Sequence, residues 1–385
     1  MNDSRTALVL GGGVGGLVAA NRLRKLLPTR DRVVLVDREP QHVFQPSLLW
    51  LAVGDRAPDD IRRPLSKLAR KGVEVRIGTI EGIDAATRVV RVGGRDITGD
   101  AIIVALGADL APETIPGLAD AGHNLYTLNG ASAFCAALRA FTGGRIIVLT
   151  ATPAYKCPAA PYEAAMLIES ALRQRGMRDR VQLDLYAAEP GPMAVTGPKL
   201  SGQVRDALTS KGIGYLPEHQ VTHVDAARRQ LTFTNGASAD FDLLLYVPPH
   251  RAPAVVREAG LLAASGWVAA DRHTFATPVA GVFAIGDVTG IPLAMGKPLP
   301  KAGVFAHAQA EVVADNIAST WAGRRARRTF DGVGKCFVET GDGRAGFGAG
   351  NFYAEPAPQV TFHTPARRWH WGKLLFERRW LRGWL

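Results

Sequence analysis

Three glycines near the start of the chain have the spacing of a dinucleotide-binding loop. Gly11, Gly13 and Gly16 follow the apolar segment TALVL and precede a segment with helical periodicity. Glycine here permits a tight turn and lets a pyrophosphate approach the free N–H groups at the helix N-terminus. Asp37 ends a second apolar segment twenty-one residues after Gly16, where a carboxylate can accept from ribose hydroxyls. The spacing predicts a dinucleotide-binding βαβ unit, and the neighbouring Arg38 is assigned to the same site.

A second candidate cofactor site lies far along the chain, in GVFAIGDVTG. Gly286 and Asp287 end a short apolar strand there, and a helix is predicted to begin near Lys301. An acid at this point can hold a ribityl hydroxyl, and the helix N-terminus can face the pyrimidine edge of an isoalloxazine. The two motifs together predict FAD rather than NAD.

The chain has three cysteines, and their contexts differ. Cys135 lies in the apolar helical pattern SAFCAALRAF and is predicted to be a core residue. Cys157 lies in the proline-flanked segment CPAAPYE, and Cys336 lies in GKCFVETG. With so few cysteines a structural disulfide framework is not expected, and any disulfide is predicted to be catalytic. Glu163, six residues after Cys157, is read either as a general base or as an acid at a helix N-terminus.

The middle of the chain opens with a second strand pattern, RIIVL, but lacks a glycine loop after it. No glycine occurs between Ile146 and Glu163, whereas Pro153, Pro158 and Pro161 do. Proline removes N–H donors, and side chains at such a turn block the approach of a pyrophosphate. This segment is therefore not expected to bind NAD(P)H.

The combined motifs resemble the flavoprotein disulfide reductase superfamily over nearly the whole chain. ALGA, with Ala105 and Gly107, looks like the chain crossover out of that superfamily's FAD domain. More narrowly, the two cysteine contexts, the segment PKAGVFAHAQA and the tail WHWGKLLFERRWL resemble the sulfide:quinone oxidoreductase family. They are also similar to the flavin subunit of flavocytochrome c sulfide dehydrogenase.

The resemblance implies that Cys157 and Cys336 form a redox pair beside the flavin. Hydrosulfide would attack their disulfide, leaving a persulfide and a thiolate, and a quinone would accept the electrons. Glu163 would take protons, and Lys301 would stabilise negative charge on the flavin or polarise a quinone oxygen. Many relatives carry a third reactive cysteine, but the matching stretch NLYTLNGA has none, which leaves the length of the sulfur product open.

The predicted fold is α/β, with two Rossmann-like dinucleotide-binding domains and a C-terminal membrane-docking segment. The FAD domain is predicted to be split between residues 1–110 and 271–322. A second Rossmann-like domain without a nicotinamide loop spans 111–270, and a C-terminal domain with Cys336 and the tail spans 323–385.

The tail carries much of the chain's positive charge. The net charge is +11, and residues 367–385 contribute six Lys/Arg and one Glu together with four of the seven tryptophans. Tryptophan and basic residues suit a membrane–water interface, so a peripheral membrane protein is predicted, on the cytoplasmic face because no export signal is visible. Other interpretations of the tail remain open. It could be solvated, bind nucleic acid, or pack on its own domain or on a dimer partner, although no nucleic acid is expected. Homo-oligomerisation also stays open.

Other readings remain at this point. A metal site is not expected, since no H-x-E, HExxH or CxxC spacing occurs, and single histidines such as His42 and His307 are read as packing residues. Three alternatives to sulfide:quinone oxidoreduction remain: an NADH:quinone dehydrogenase, a flavocytochrome flavin subunit, and a non-catalytic flavin redox sensor that docks to membranes. The glycine-free loop argues against the first of them.

Overall fold

The computed structural model describes residues 4–385. Its first third is built from short strands and two helices. The strands are β1 (Thr6–Leu10), β2 (Arg32–Asp37), β3 (Gln41–Val43), β4 (Arg62–Pro64), β5 (Glu74–Ile77), β6 (Ile80–Asp84), β7 (Val89–Val92), β8 (Arg95–Thr98), β9 (Ala101–Val104) and β10 (Asp109–Leu110), and the helices are α1 (Val14–Leu26) and α2 (Leu48–Val53).

The middle and the end of the chain alternate helices with strands. The helices are α3 (Leu118–Ala121), α4 (Leu128–Ala140), α5 (Ala160–Gln174), α6 (Pro198–Ser210), α7 (Ala254–Glu258), α8 (Gly303–Trp321) and α9 (Arg367–Gly383). The strands are β11 (His123–Asn124), β12 (Gly144–Thr150), β13 (Val181–Ala187), β14 (Gly214–Leu216), β15 (Val221–Asp225), β16 (Gln230–Phe233), β17 (Ser238–Asp240), β18 (Leu243–Val247), β19 (His250–Arg251), β20 (Val282–Ala284), β21 (Val333–Gly341), β22 (Arg344–Asn351) and β23 (Gln359–Ala366).

Two five-stranded parallel sheets form the framework of the molecule. The first has the order β20-β9-β1-β2-β5 and the second the order β11-β18-β12-β13-β14. Their central strands are fully buried, which explains why they read in sequence as unbroken apolar runs rather than as alternating ones. The predicted Rossmann-like α/β fold is confirmed. Because β20 joins the first sheet, residues from both ends of the chain meet at its carboxyl edge.

Close backbone approaches explain two of the glycines. A Cβ atom on Gly11 would collide with the carbonyl oxygen of Ala105, where the chain leaves the first sheet after β9. A Cβ atom on Gly16 would collide with the carbonyl oxygen of Gly11, so the turn between β1 and α1 could not close. Glycine is therefore required here by packing as well as by any ligand.

The last part of the chain is an antiparallel sheet, β21-β22-β23, followed by α9. Trp380, Leu381 and Leu385 are buried in the core cluster that contains α1 and α8. The tail therefore packs on the body of its own chain, which was one of the readings left open. No helix within residues 4–385 has the length and apolarity needed to cross a bilayer.

Candidate active site

Cys157 lies in the glycine-free loop between β12 and α5, in an unusual backbone conformation. Its φ is 51°, a left-handed value that is rare for a residue with a side chain. Two hydrogen bonds hold it there, one from its N–H to the Lys301 carbonyl oxygen at 2.6 Å and one from the Ala160 N–H to its own carbonyl oxygen at 2.9 Å. The loop that replaces a nucleotide-binding turn thus fixes a thiol close to the segment that carries Lys301.

Cys336 reaches the same place from a different sheet. It lies on β21 opposite Gly348 of β22, and its thiol is 3.2 Å from the carbonyl oxygen of Phe337. Cys157 and Cys336 both line one cavity, and both are free thiols. The structure therefore brings together the two cysteines that the sequence separates by almost half of the chain.

The cavity around the two thiols is apolar. Side chains from the loop before α6, from α8 and from the C-terminal sheet line it, among them Met193, Val304, Phe305, Val338, Phe352 and Phe362. Such a lining favours neutral, polarisable sulfur species over hydrated ions.

The pKa values of both thiols lie above the ordinary cysteine value. Burial raises the pKa of Cys157 strongly, and the surrounding protein raises that of Cys336 to about 12 although this cysteine is exposed to solvent. The Glu163 carboxylate raises both pKa values further, and the Lys373 ammonium lowers them. Each thiol is therefore protonated at neutral pH in this state. Formation of a thiolate here therefore requires a nearby group that accepts the thiol proton.

Glu163, whose charge acts on both thiols, is a candidate for this group and belongs to a buried ionic cluster. Its Oε1 accepts from the Glu339 N–H at 2.8 Å and from Lys373 Nζ at 3.0 Å. Lys373 Nζ also lies 3.9 Å from Glu339 Oε1, and Glu339 Oε2 is 3.0 Å from His370 Nδ1. Sequence reasoning placed Lys373 among the lipid-facing basic residues, and this is wrong: its side chain is 5% exposed. Because the tail is rich in basic residues, its sequence did not indicate that Lys373 points inward.

Lys301 is held by the backbone at the end of the first sheet. Its Nζ donates to the carbonyl oxygens of Asp287 at 2.6 Å and Thr289 at 2.9 Å and lies 3.3 Å from the centroid of the Trp267 ring. Burial lowers the pKa of Lys301 to about 8, although Asp287 opposes the shift. Burial raises the pKa of Asp287, against the effect of Lys301 and of Lys156. Lys156, which sequence reasoning missed, is a buried lysine next to Cys157 in the chain.

The glycine loop has room for a dinucleotide. A Cβ atom on Gly13 or Gly107 would meet nothing within 4 Å, so open space faces both. The Asp37 carboxylate accepts from the Gly12 N–H and, at 2.7 Å, from the Glu39 N–H, which fixes it at the end of β2. This shape and donor set fit the pyrophosphate and ribose of a dinucleotide.

The remaining predicted cofactor residues lie around the same edge. Arg38 is exposed, with its Nε 3.9 Å from Glu39 Oε1. Ala105 is buried at the end of β9, and the Gly286 N–H donates to Oε1 of the buried Gln309 at 2.6 Å. Gln309, on α8, was not found from the sequence because a glutamine in an apolar helix gives no local signal.

The corresponding edge of the second sheet is filled by the protein itself. The Glu189 carboxylate, just after β13, accepts hydrogen bonds from the hydroxyls of Thr150, Tyr155 and Tyr162, at 2.7 Å and 2.5 Å for Thr150 and Tyr162. An acid in this position could bind a nucleotide ribose, but here the chain's own hydroxyls occupy it. A nucleotide ribose could bind Glu189 only after these hydroxyls had moved away, and the absence of NAD(P)H binding stays a prediction.

The outer face of α9 combines apolar and basic side chains. Trp371 and Leu375, one turn apart, are 65% and 47% exposed, and Phe376 is 37% exposed. Arg378, Arg379 and Arg382 follow on the exposed side of the same helix. The buried face holds the helix on the body while the outer face stays open.

Comparisons with known proteins identify a family for this chain and several similar oxidoreductases. The profile described as pyridine nucleotide-disulphide oxidoreductase matches residues 5–310. The chain is 27% identical to the sulfide-quinone reductase of Aquifex aeolicus over 401 residues, which cover 98% of this chain and 90% of that relative. It is 24% identical to the mitochondrial sulfide:quinone oxidoreductase of Mus musculus over 378 residues, covering 94% and 81% of the two chains. The X-ray structure of the Aquifex aeolicus sulfide:quinone oxidoreductase is similar with a TM-score of 0.89 at 25% identity, covering 98% of this chain and 91% of that one.

Proposed function

The chain belongs to the pyridine nucleotide-disulphide oxidoreductase family, and we propose that it oxidises sulfide and passes the electrons through FAD to a quinone. The observation that carries this proposal is the meeting of Cys157 and Cys336 in one apolar cavity. The similarity to sulfide:quinone oxidoreductases extends over nearly the whole chain, including the C-terminal segment that provides the second cysteine.

Cys157 and Cys336 would exchange sulfur in this reaction. In their disulfide form, hydrosulfide attacks one sulfur, so that an S–S bond forms to the incoming sulfur and the bond between the cysteines breaks. The attacked cysteine becomes a persulfide and the other a thiolate, and the incoming sulfur has lost two electrons. The proton that leaves hydrosulfide goes to Glu163, whose Oε2 makes no hydrogen bond within residues 4–385.

FAD would supply the two-electron step between the thiolate and the quinone. The open space at Gly13 and Gly107 and the carboxylates of Asp37 and Asp287 would hold it, together with the other residues assigned from the sequence. Lys301, fixed by two carbonyl oxygens, keeps a positive charge near Asp287 and thereby near the expected flavin edge. The backbone hydrogen bond from Cys157 to Lys301 would then hold the Cys157 thiol near the cofactor.

We further propose that the outer face of α9 docks on a membrane surface. A quinone is lipid-soluble, so the enzyme must meet it at the bilayer. Trp371, Leu375 and Phe376 would enter the interface, and the arginines that follow would contact anionic headgroups.

Anaerobic titration of the purified flavoprotein tests the proposal. Sulfide alone should bleach the flavin absorbance, and decyl-quinone should restore it. Cys157→Ala and Cys336→Ala should each abolish bleaching, whereas Cys135→Ala, which removes the buried thiol beside α2, should retain it. Normal bleaching in both active-site variants would refute the role of the pair, and reoxidation by a cytochrome but not by a quinone would favour a flavocytochrome subunit instead.

A further inference from the structure

We propose that Glu163, Lys373, Glu339 and His370 form a proton path from the cysteine cavity to solvent. The proposal rests on the proposed function, because sulfide oxidation releases a proton at the cysteines. Oxidation of hydrosulfide to the sulfur of a persulfide frees one proton and two electrons, and reduction of the quinone consumes two protons and the same two electrons. One proton must therefore leave an apolar cavity in every turnover.

The four side chains lead through the interior from Glu163, whose charge raises the pKa of both thiols, to the surface. Glu163, Lys373 and Glu339 have side chains that are 3%, 5% and 1% exposed, whereas the His370 side chain is 21% exposed. Successive contacts run from Glu163 Oε1 to Lys373 Nζ at 3.0 Å, to Glu339 Oε1 at 3.9 Å, and from Glu339 Oε2 to His370 Nδ1 at 3.0 Å. The 3.9 Å step is too long for a hydrogen bond, but a shift of about 1 Å in the flexible lysine stem closes it.

The charge of the cluster suits proton uptake. The Glu163 and Glu339 carboxylates and the Lys373 ammonium together carry a net charge of −1 in a buried site. An unbalanced buried charge is costly, so the negative charge of this cluster attracts a proton released at the thiols. A proton is passed on in two steps: the Lys373 ammonium first donates a proton to Glu339, and the neutral amine that results then takes the proton that Glu163 received from the cavity.

Several further groups face the exit residue His370. Glu339 reaches it from β21, and the Trp50 ring from α2 lies edge-on at 5.9 Å between centroids. Asp55 and Arg56 follow α2, and burial raises the pKa of Asp55 while the Arg56 guanidinium opposes the shift. Arg56 is itself bound by Glu377, with Nη2 2.7 Å from Oε2, so it does not compete for Glu339.

Replacement of His370 by alanine tests the path, because a partly exposed histidine can be removed with little effect on folding. In weak buffer, His370→Ala should lower kcat for sulfide-dependent quinone reduction about tenfold, as expected for loss of a proton-transfer group, with the KM for sulfide nearly unchanged. Added imidazole should restore kcat, and the solvent deuterium isotope effect should rise. Glu339→Gln, which keeps the shape of the site but not the proton acceptor, should show the same loss without rescue by imidazole.

His223→Ala removes an exposed histidine on β15, in a separate sheet, and should behave as wild type. Wild-type kcat and pH profile in His370→Ala, or a loss that imidazole does not restore, would overturn the path. The wild-type titration separates the two proposals: if sulfide fails to bleach the wild-type flavin, the function is wrong, and if only the His370 prediction fails, the path alone is wrong.

Discussion

The indole Nε1 of Trp380 donates a hydrogen bond to Nε2 of His42 at 2.9 Å, and Nδ1 of His42 in turn donates to the carbonyl oxygen of Gly12 at 2.9 Å. Burial lowers the pKa of His42, which keeps the ring neutral and able to make both bonds. The C-terminal helix is thereby attached to the glycine loop near the other end of the chain.

Trp380→Phe should weaken this attachment. The substitution leaves a buried imidazole nitrogen without its donor, which costs about 1–3 kcal/mol of the free energy of unfolding. Because the bond supports the glycine loop, FAD should also dissociate faster. Thermal unfolding with and without added FAD, together with release of flavin fluorescence, measures both effects. Trp371→Phe, on the exposed face of the same helix, is the control, and equal behaviour of the two variants would contradict the prediction.

The reactivity of Cys336 should respond to the charge on Glu163. The pKa of Cys336 is raised to about 12, mainly by the protein around it and then by Glu163, so its thiolate fraction at neutral pH is small. Below the pKa this fraction increases about tenfold for each unit by which the pH is raised. Glu163→Gln removes the negative charge and lowers this pKa, so iodoacetamide should modify Cys336 faster at a given pH. Turnover should nevertheless fall, since the proton acceptor is lost.

Glu169→Gln is a matched control for this substitution. Glu169 is also buried on α5 and also binds a lysine, Lys211, at 3.2 Å, but it does not affect the pKa of either thiol. Mass spectrometry of the alkylated peptides gives the rates. A slower reaction of Cys336 in Glu163→Gln than in wild type would show that the sign of the effect is wrong.

The exposed face of α9 should bind anionic lipid. Combined replacement of Trp371 and Leu375 by serine removes apolar surface that is already open, so folding and turnover with a soluble quinone should change little. Co-sedimentation with phosphatidylglycerol vesicles should fall at least about tenfold, since each side chain contributes of the order of 1 kcal/mol or more when buried in the interface. Ile77→Ser, at another exposed apolar position, should bind as wild type. Equal binding by all three proteins would rule out docking through this face.

Local patterns in the sequence were sufficient for the parts of the fold that depend on neighbours in the chain. The apolar run before Gly11 and the glycines that follow predicted a strand, a tight turn and a helix, and β1 and α1 follow one another in this way. The position of Asp287 at the end of a short strand could be predicted in the same way. Both features depend on spacing over a few residues.

The site depends on contacts that have no local signal. Cys157 and Cys336 could be paired only through a family resemblance, because nothing in either segment indicates the other. Lys373 was misassigned because it lies among five arginines in a helix whose charged residues are otherwise mostly exposed. Its inward orientation follows from Glu163 and Glu339, which lie on other elements. A buried lysine of this kind can be recognised only when the structure shows the carboxylates that pair with it.

NADH should not reduce the flavin of this protein. Binding of a nicotinamide dinucleotide at the second sheet would require the Glu189 carboxylate to exchange the hydroxyls of Thr150, Tyr155 and Tyr162 for those of a ribose. It would also require a backbone approach that the proline-containing loop does not offer. Anaerobic mixing with millimolar NADH should leave the flavin absorbance unchanged over minutes, whereas sulfide bleaches it.

Removal of the occluding hydroxyls should not create an NADH site. Tyr155→Phe or Tyr162→Phe leaves a buried carboxylate with one fewer donor, so each should lower the free energy of unfolding by about 1–3 kcal/mol, measured with urea. Tyr246→Phe, on β18 of the same sheet, is the control because its hydroxyl makes no bond to Glu189. NADH should still fail to bleach the flavin in both variants, since the loop still lacks glycine. Rapid bleaching of the wild-type flavin by NADH would instead indicate an NADH dehydrogenase. Bleaching in the variants alone would show that the tyrosines, rather than the loop, exclude the nucleotide.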